Sequence, residues 1–315
     1  MCRTQQGVWS VKTIVVVSGK GGVGKSSITA SLGVLLSKTG VSLTAVDADV
    51  DAPNLSIVLG SEISDFVEVE SSEKASIDLD KCISCGKCIS SCEPHALIDR
   101  GDGSPLLMPF LCEGCGACAI VCPVDAASIG RVANGCIGTS RSSYGFPVVV
   151  GQLQIGESNS GELVTLVKSR GAEIADRDGC ETLLVDGPPG IGCPVIAVLT
   201  GADYVIAVTE PTPIAANSLG RLLDVAAHFG IPAGVVINKF SLDQEYAKDM
   251  ENWLERERQI PVLQRIPMDD NFPLSLADRT PLPVFNPACE GAEALRQLST
   301  SVIAELSRIG DRGGS

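Results

Sequence analysis

Gly19-Lys20-Gly21-Gly22-Val23-Gly24-Lys25-Ser26 follows a β-branched apolar run over 11–18. Behind it, Ile28, Leu32, Leu35 and Leu36 recur at helical spacing and stop before Gly40. A strand, a glycine loop and a helix in that order aim backbone N–H groups and a helix N-terminus at one point, an arrangement suited to anionic oxygens. Gly21, Gly22, Val23 and Gly24 would supply the backbone cradle. Lys25 would neutralise β- and γ-phosphates, Ser26 would ligate Mg²⁺, and Ser27 would reach the α-phosphate. Further apolar runs at about 42–47, 182–186, 203–208, 233–237 and 262–265 alternate with helical patterns at about 214–229, 243–258 and 289–308. That alternation predicts an α/β, doubly wound parallel sheet with ligands at the C-terminal ends of its strands.

Into this pattern are set eight of the chain's thirteen cysteines. They form two runs, Cys82-Ile-Ser-Cys85-Gly-Lys-Cys88-Ile-Ser-Ser-Cys92 and Cys112-Glu-Gly-Cys115-Gly-Ala-Cys118-Ala-Ile-Val-Cys122. Each has the bacterial ferredoxin spacing, in which the fourth cysteine ligates the other cluster. The spacing predicts Cys82, Cys85, Cys88 and Cys122 on one 4Fe–4S cluster and Cys112, Cys115, Cys118 and Cys92 on a second. Zinc takes four thiols per site, usually as separated pairs, and fits this interleaving poorly. The acidic stretch 65–80 reads as a linker and the Gly- and Ser-rich stretch 131–161 as a flexible return path. Residues 76–130 are therefore expected to be a small α+β, bacterial-ferredoxin-like domain inserted between 1–75 and 131–315.

Composition narrows the partners. A net charge of −14 disfavours nucleic acid, which needs a basic face. The apolar run 14–17 is too short for a signal core, and no run of about 18 apolar residues is present to span a membrane. Thirteen thiols in a chain of this length point to metal in a reducing, cytoplasmic setting rather than to disulfides.

Lys20-Gly-Gly-Val-Gly-Lys25-Ser resembles the deviant Walker A motif of the MinD/ParA/Mrp superfamily of P-loop ATPases, which includes the nitrogenase iron protein. The resemblance implies ATP and Mg²⁺ as ligands, and a dimer in which Lys20 reaches the partner's phosphates. The second subunit would be identical or a paralogue. Val46-Asp47-Ala-Asp49-Val-Asp51-Ala-Pro-Asn54 is similar to the family's switch I, which gives Asp49 the role of orienting the attacking water, with Asp47 in support. Leu183-Leu-Val-Asp186-Gly-Pro-Pro-Gly190 resembles Walker B and switch II, with Asp186 reaching Mg²⁺ through a water. Val236-Ile-Asn238-Lys239 resembles the base-reading segment, where Asn238 would pair with adenine and Pro267 would add backbone contacts. A switch II cysteine in the iron protein ligates a cluster shared by two subunits. By that resemblance Cys193, with Cys136, is a candidate for a third, shared cluster, the alternative being two ordinary small buried residues.

The expected function is an ATPase that couples nucleotide state to electron transfer toward a redox acceptor protein. A cluster-assembly or carrier ATPase is the alternative, although Cys289 stands alone where carriers of this superfamily hold paired cysteines. A spatial organiser of division or partition is a third reading. It is disfavoured by the negative charge and by the apolar residues of 289–308, which read as a core helix.

Overall fold

The computed structural model describes residues 11–157 and 160–312, so Cys2 lies outside the described residues. The chain forms two compact units. The first comprises 11–66, 137–152 and 164–312, and the second 67–136 with 153–163.

In the first unit, seven strands among the described residues lie parallel. Their order is Val262–Arg265, Ala233–Ile237, Tyr204–Thr209, Lys12–Ser18, Thr182–Pro189, Leu43–Asp47 and Pro147–Leu153. Ile14, Val15, Val16 and Val17 are all 0–1% exposed, as strands covered on both faces require. Alternate residues reach opposite layers. Ile14, Val16, Ala45 and Leu184 pack with Ile28, Leu32 and Leu36 of helix Lys25–Lys38, and with Leu295, Leu298 and Val302 of helix Glu290–Arg312. On the other face, helix Ser160–Asp178 lies so close that a Cβ on Gly171 would come 2.3 Å from Val46 Cγ2. The doubly wound α/β architecture expected from the sequence is therefore present.

Two stretches differ from expectation. Residues 131–161 hold the end of strand Ala127–Arg141 and the whole of Pro147–Leu153, joined by a turn in which Ser142 N–H donates to Phe146 O. The Gly and Ser content of 134–145 hides the buried Val148-Val149-Val150 run that makes the second strand. Residues 65–80, read as a linker, contain strand Val67–Ile77. Its inward positions are Ser71, Ser72, Lys74 and Ala75, so the apolar alternation that marks a half-buried strand is missing.

The second unit is built twice, each feature recurring 30 residues on. Cys82, Cys85, Cys88 and Cys92 are followed by Cys112, Cys115, Cys118 and Cys122, and helix Lys87–Ser90 by Ala117–Ile120. Ser84, Gly86 and His95 have left-handed φ, and so do Gly114, Gly116 and Asp125. The halves exchange equivalent bonds: Asp78 N–H donates to Ala126 O and Met108 N–H to Ala96 O, both at 2.7 Å. Strands Leu97–Asp99 and Pro105–Leu107 pair antiparallel, and the small core joins Ala75, Ala96, Leu97 and Ala127 to Cys112 and Cys118.

Candidate functional site

The glycine loop lies at the C-terminal end of strand Lys12–Ser18 and feeds helix Lys25–Lys38. Gly24, the residue before the helix, has φ 92°, and a Cβ there would fall 2.4 Å from Asn238 Nδ2. Glycine is thus required twice, for the backbone and for the approach of Asn238. The loop borders an open cleft of about 710 Å³, lined among others by Gly22, Lys25, Ser26, Ser27, Asp49 and Pro189.

Inside the cleft Lys25 is 7% exposed; its Nζ donates to Asp186 Oδ1 at 3.0 Å and lies 3.5 Å from Asp49 Oδ2. Burial pulls the ammonium pKa down, but Asp186, Asp49 and Asp47 outweigh it and hold the group above its ordinary value. Thr29 Oγ1 also donates to Asp186 Oδ1, at 2.9 Å, while the fully buried Asp186 Oδ2 has no hydrogen-bond partner among the described residues. Asp47 is fully buried, and its carboxylate accepts the N–H groups of Asp49 (3.2 Å) and Leu55 (2.8 Å), fixing the loop between them. Burial and the neighbouring Asp186 push Asp47 up to about 8. Burial likewise raises Asp49, against the pull of Lys25. Even with Asp47 protonated, Asp49 and Asp186 outnumber the Lys25 ammonium, an imbalance that a divalent cation would correct. Ser26, together with the unpartnered Asp186 Oδ2, fits Mg²⁺ and its waters.

Lys20, expected to reach a partner, is bound within its own chain to Glu210 at 2.6 Å. Glu210 also receives Lys239 Nζ at 3.0 Å, and Lys239 in turn donates to Gly22 O. Burial pushes the Glu210 carboxyl up, but Lys20 and Lys239 together hold it below the usual range. Sequence reasoning missed Glu210. The signal was there: it follows the apolar strand Tyr204–Thr209 as Asp186 terminates the apolar residues of its own strand. Asn238 Nδ2 donates to Val23 O at 2.7 Å, so the residue expected at the base ties down the phosphate loop. Pro267 follows Ile266, whose N–H bonds Ile237 O, which sets it beside the end of the Asn238 strand.

In the second unit the cysteines gather in two small pockets. Cys82, Cys85, Cys88 and Cys122 line one, and Cys92, Cys112, Cys115 and Cys118 line the other. Each pocket takes three thiols from one run and the fourth from the other. Cys122 Sγ accepts Ala126 N–H (3.2 Å) and Cys92 Sγ accepts Ala96 N–H (3.3 Å), at equivalent places in the repeat. Gly114 must lack a side chain, since a Cβ there would lie 2.3 Å from Glu73 O. Among the described residues no three His, Cys, Asp or Glu side chains converge tightly enough to hold a single metal ion. Cys193 is exposed at the start of helix Cys193–Leu199 in the first unit, whereas Cys136 belongs to the second, where burial and Glu68 raise its thiol.

Residues 14–282 match the family described as the CobQ/CobB/MinD/ParA nucleotide binding domain. The chain belongs to this family. An uncharacterised protein of Methanocaldococcus jannaschii is 35% identical over 269 residues, 85% of this chain and 89% of its own length. A second from the same organism is 29% identical over 231 residues, covering 73% and 80%. Among solved structures, the septum site-determining protein MinD of Pyrococcus horikoshii, complexed with Mg-ADP, superposes with a TM-score of 0.59. At 18% identity over 95% of this chain and 99% of that one, it shows a shared fold. No described helix is long and apolar enough to cross a membrane.

For this member of the CobQ/CobB/MinD/ParA family, the raised Asp47 carboxyl predicts a pH dependence. Its folded pKa, about 8, lies above the ordinary value of 3.8, so the folded chain binds the extra proton between them. Stability is then greatest at the acid side of that window and is lost as pH rises through about 8, on the order of 1 kcal/mol per pH unit. Thermal unfolding without nucleotide should give a higher midpoint at pH 6 than at pH 8. A midpoint that rises with pH would contradict the assignment.

Proposed function

We propose that the chain is a P-loop ATPase of the MinD/ParA type that couples its nucleotide state to one-electron transfer through two 4Fe–4S clusters. The observation that carries the reading is the crossed sharing of eight thiols between two pockets, the ligation that the ferredoxin spacing requires. Cys82, Cys85, Cys88 and Cys122 would hold one cluster and Cys92, Cys112, Cys115 and Cys118 the other. When bound, these groups supply reversible one-electron chemistry.

The protein's own residues do the rest. Lys25 and the loop N–H groups bind and orient the phosphates. Ser26 and Asp186 would hold Mg²⁺, which would neutralise charge on the phosphates; Asp49 orients the attacking water while Asp47 fixes the loop that carries it. Asn238 secures Val23 from behind, and its remaining Nδ2 hydrogen, with the backbone at Pro267, serves the base. Lys20 leaves Glu210 for the phosphates of a second subunit, closing a dimer. Two relatives within one organism allow a paralogue as the second subunit as readily as an identical chain. Cys193 with Cys136 would form a further, shared site only in such a dimer. ATP favours the closed state only by binding it more tightly than the open one. A redox acceptor protein completes the scheme.

The helix Glu290–Arg312 buries Leu295, Leu298 and Val302 in the core, which speaks against a membrane-targeting helix of the organiser type. Anaerobic purification should give about eight irons and eight sulfides per chain. The reduced protein should show an EPR signal that responds to Mg·ATP, and an acceptor should be reduced without loss of iron. Transfer of iron and sulfide to an apo-protein would favour the carrier alternative. Colourless or zinc-only material would end the redox reading.

A further inference from the structure

The 30-residue repeat gives every residue beside one four-cysteine pocket a counterpart beside the other, so unmatched residues stand out. Ala75 N–H donates to Cys112 Sγ at 3.3 Å. Thirty residues on, the counterpart of that donor is Pro105, facing the set of Cys82, and proline has no N–H to give. Ala75 and Pro105 are both buried and each lines its own pocket, so the places are equivalent and the bond is missing from one. The preceding pair differs too. Lys74, 4% exposed, donates from Nζ to Cys112 O (3.1 Å) and Pro109 O (2.8 Å), with Glu157 3.1 Å away. Its counterpart Ser104 is occupied with Asp102. The bonds from Ala96 and Ala126 are matched, one to each set, but the Val124 N–H that lowers the Cys122 thiol has Pro94 at its counterpart place, an asymmetry of the opposite sense.

A donor on a ligand sulfur, or a cation near it, stabilises the more negative, reduced cluster. Besides the Val124 donor on Cys122 and the Glu157 carboxylate paired with Lys74, two further features oppose this. Cys112 and Cys118 are more buried than their counterparts Cys82 and Cys88, which disfavours added charge, and Glu113 lines the second pocket where Lys87 lines the first. Glu113 and Lys87 are not enclosed, and solvent screens them. The Ala75 N–H bond acts on the Cys112 sulfur itself and the order is assigned on that contact, to which the Lys74 ammonium, paired with Glu157, adds a smaller share.

We propose that Lys74 and Ala75 make the site of Cys92, Cys112, Cys115 and Cys118 the more readily reduced, and that Pro105 holds the site of Cys82, Cys85, Cys88 and Cys122 lower. One electron shared between the sites settles on the second. The first is oxidised by one electron as the second is reduced, and no proton moves or bond breaks. This rests on the two-cluster reading above.

The test is a potentiometric titration of the anaerobic iron-loaded protein with dithionite, followed by EPR. Two waves are expected in the native protein. Pro105→Ala, which restores an N–H, should raise the lower wave and leave the upper one in place; Lys74→Gln should lower the upper. If Pro105→Ala moves the upper wave, or neither, the proposal is overturned even when Lys74→Gln fails to fold. A protein without iron would fail at the iron count, before the titration, and would remove the underlying reading instead.

Discussion

Replacing Lys25 by alanine is expected to abolish nucleotide hydrolysis and to loosen the nucleotide-free fold at the same time. Among the described residues its Nζ is the only ammonium placed on Asp186 and Asp49, and its removal leaves those carboxylates facing Asp47 across a buried cleft. Breaking a buried ion pair by deleting one partner typically costs about 3–5 kcal/mol. Removal of a charged donor aimed at a transferring phosphoryl group should lower the rate by roughly 10²–10³-fold or more. Chemical denaturation and single-turnover phosphate release measure the two effects separately. Lys25→Arg refines the test, because it keeps the charge but not the compact, single-point donor. It should recover much of the lost stability and little of the rate. An alanine variant as stable as the native chain would mean that Lys25 does not hold these carboxylates together.

The second large effect concerns Cys92. Although it sits in the first cysteine run, it lines the pocket of Cys112, Cys115 and Cys118. Under the two-cluster proposal, Cys92→Ser should therefore halve the iron content, to about four per chain, and remove the EPR signal of the second site while sparing the first. Adding Cys112→Ser should cost little more, since both residues serve one site, whereas adding Cys82→Ser should empty the protein of clusters. Uncrossed ligation predicts the reverse pairing. Iron counts on the two double variants decide between them.

Much of the fold and of the cleft was legible in the sequence. The glycine loop between a β-branched run and a helical pattern located the nucleotide cleft, because a strand–loop–helix unit converges free N–H groups on a phosphate. Cysteine spacing predicted the grouping of eight thiols into two pockets, because two residues between thiols bring three of them to one side of a turn. Strand Val67–Ile77 was not legible. Three of its four buried residues are polar, and Lys74 among them is satisfied by partners far along the chain, Pro109, Cys112 and Glu157. Glu210 escaped attention for a related reason: its meaning depends on Lys20 and Lys239, which come to it from other loops.

The linear order of residues was enough to establish an α/β phosphate-binding fold carrying two thiol sets, since both follow from spacing along the chain. Three things were left to the folded molecule. It tied Asn238 to Val23, held Lys20 on Glu210, and set Ala75 and Pro105 at matching places beside unlike pockets. Those are contacts between segments distant in sequence, and their chemistry exists only once packing has brought donor and acceptor within about 3 Å.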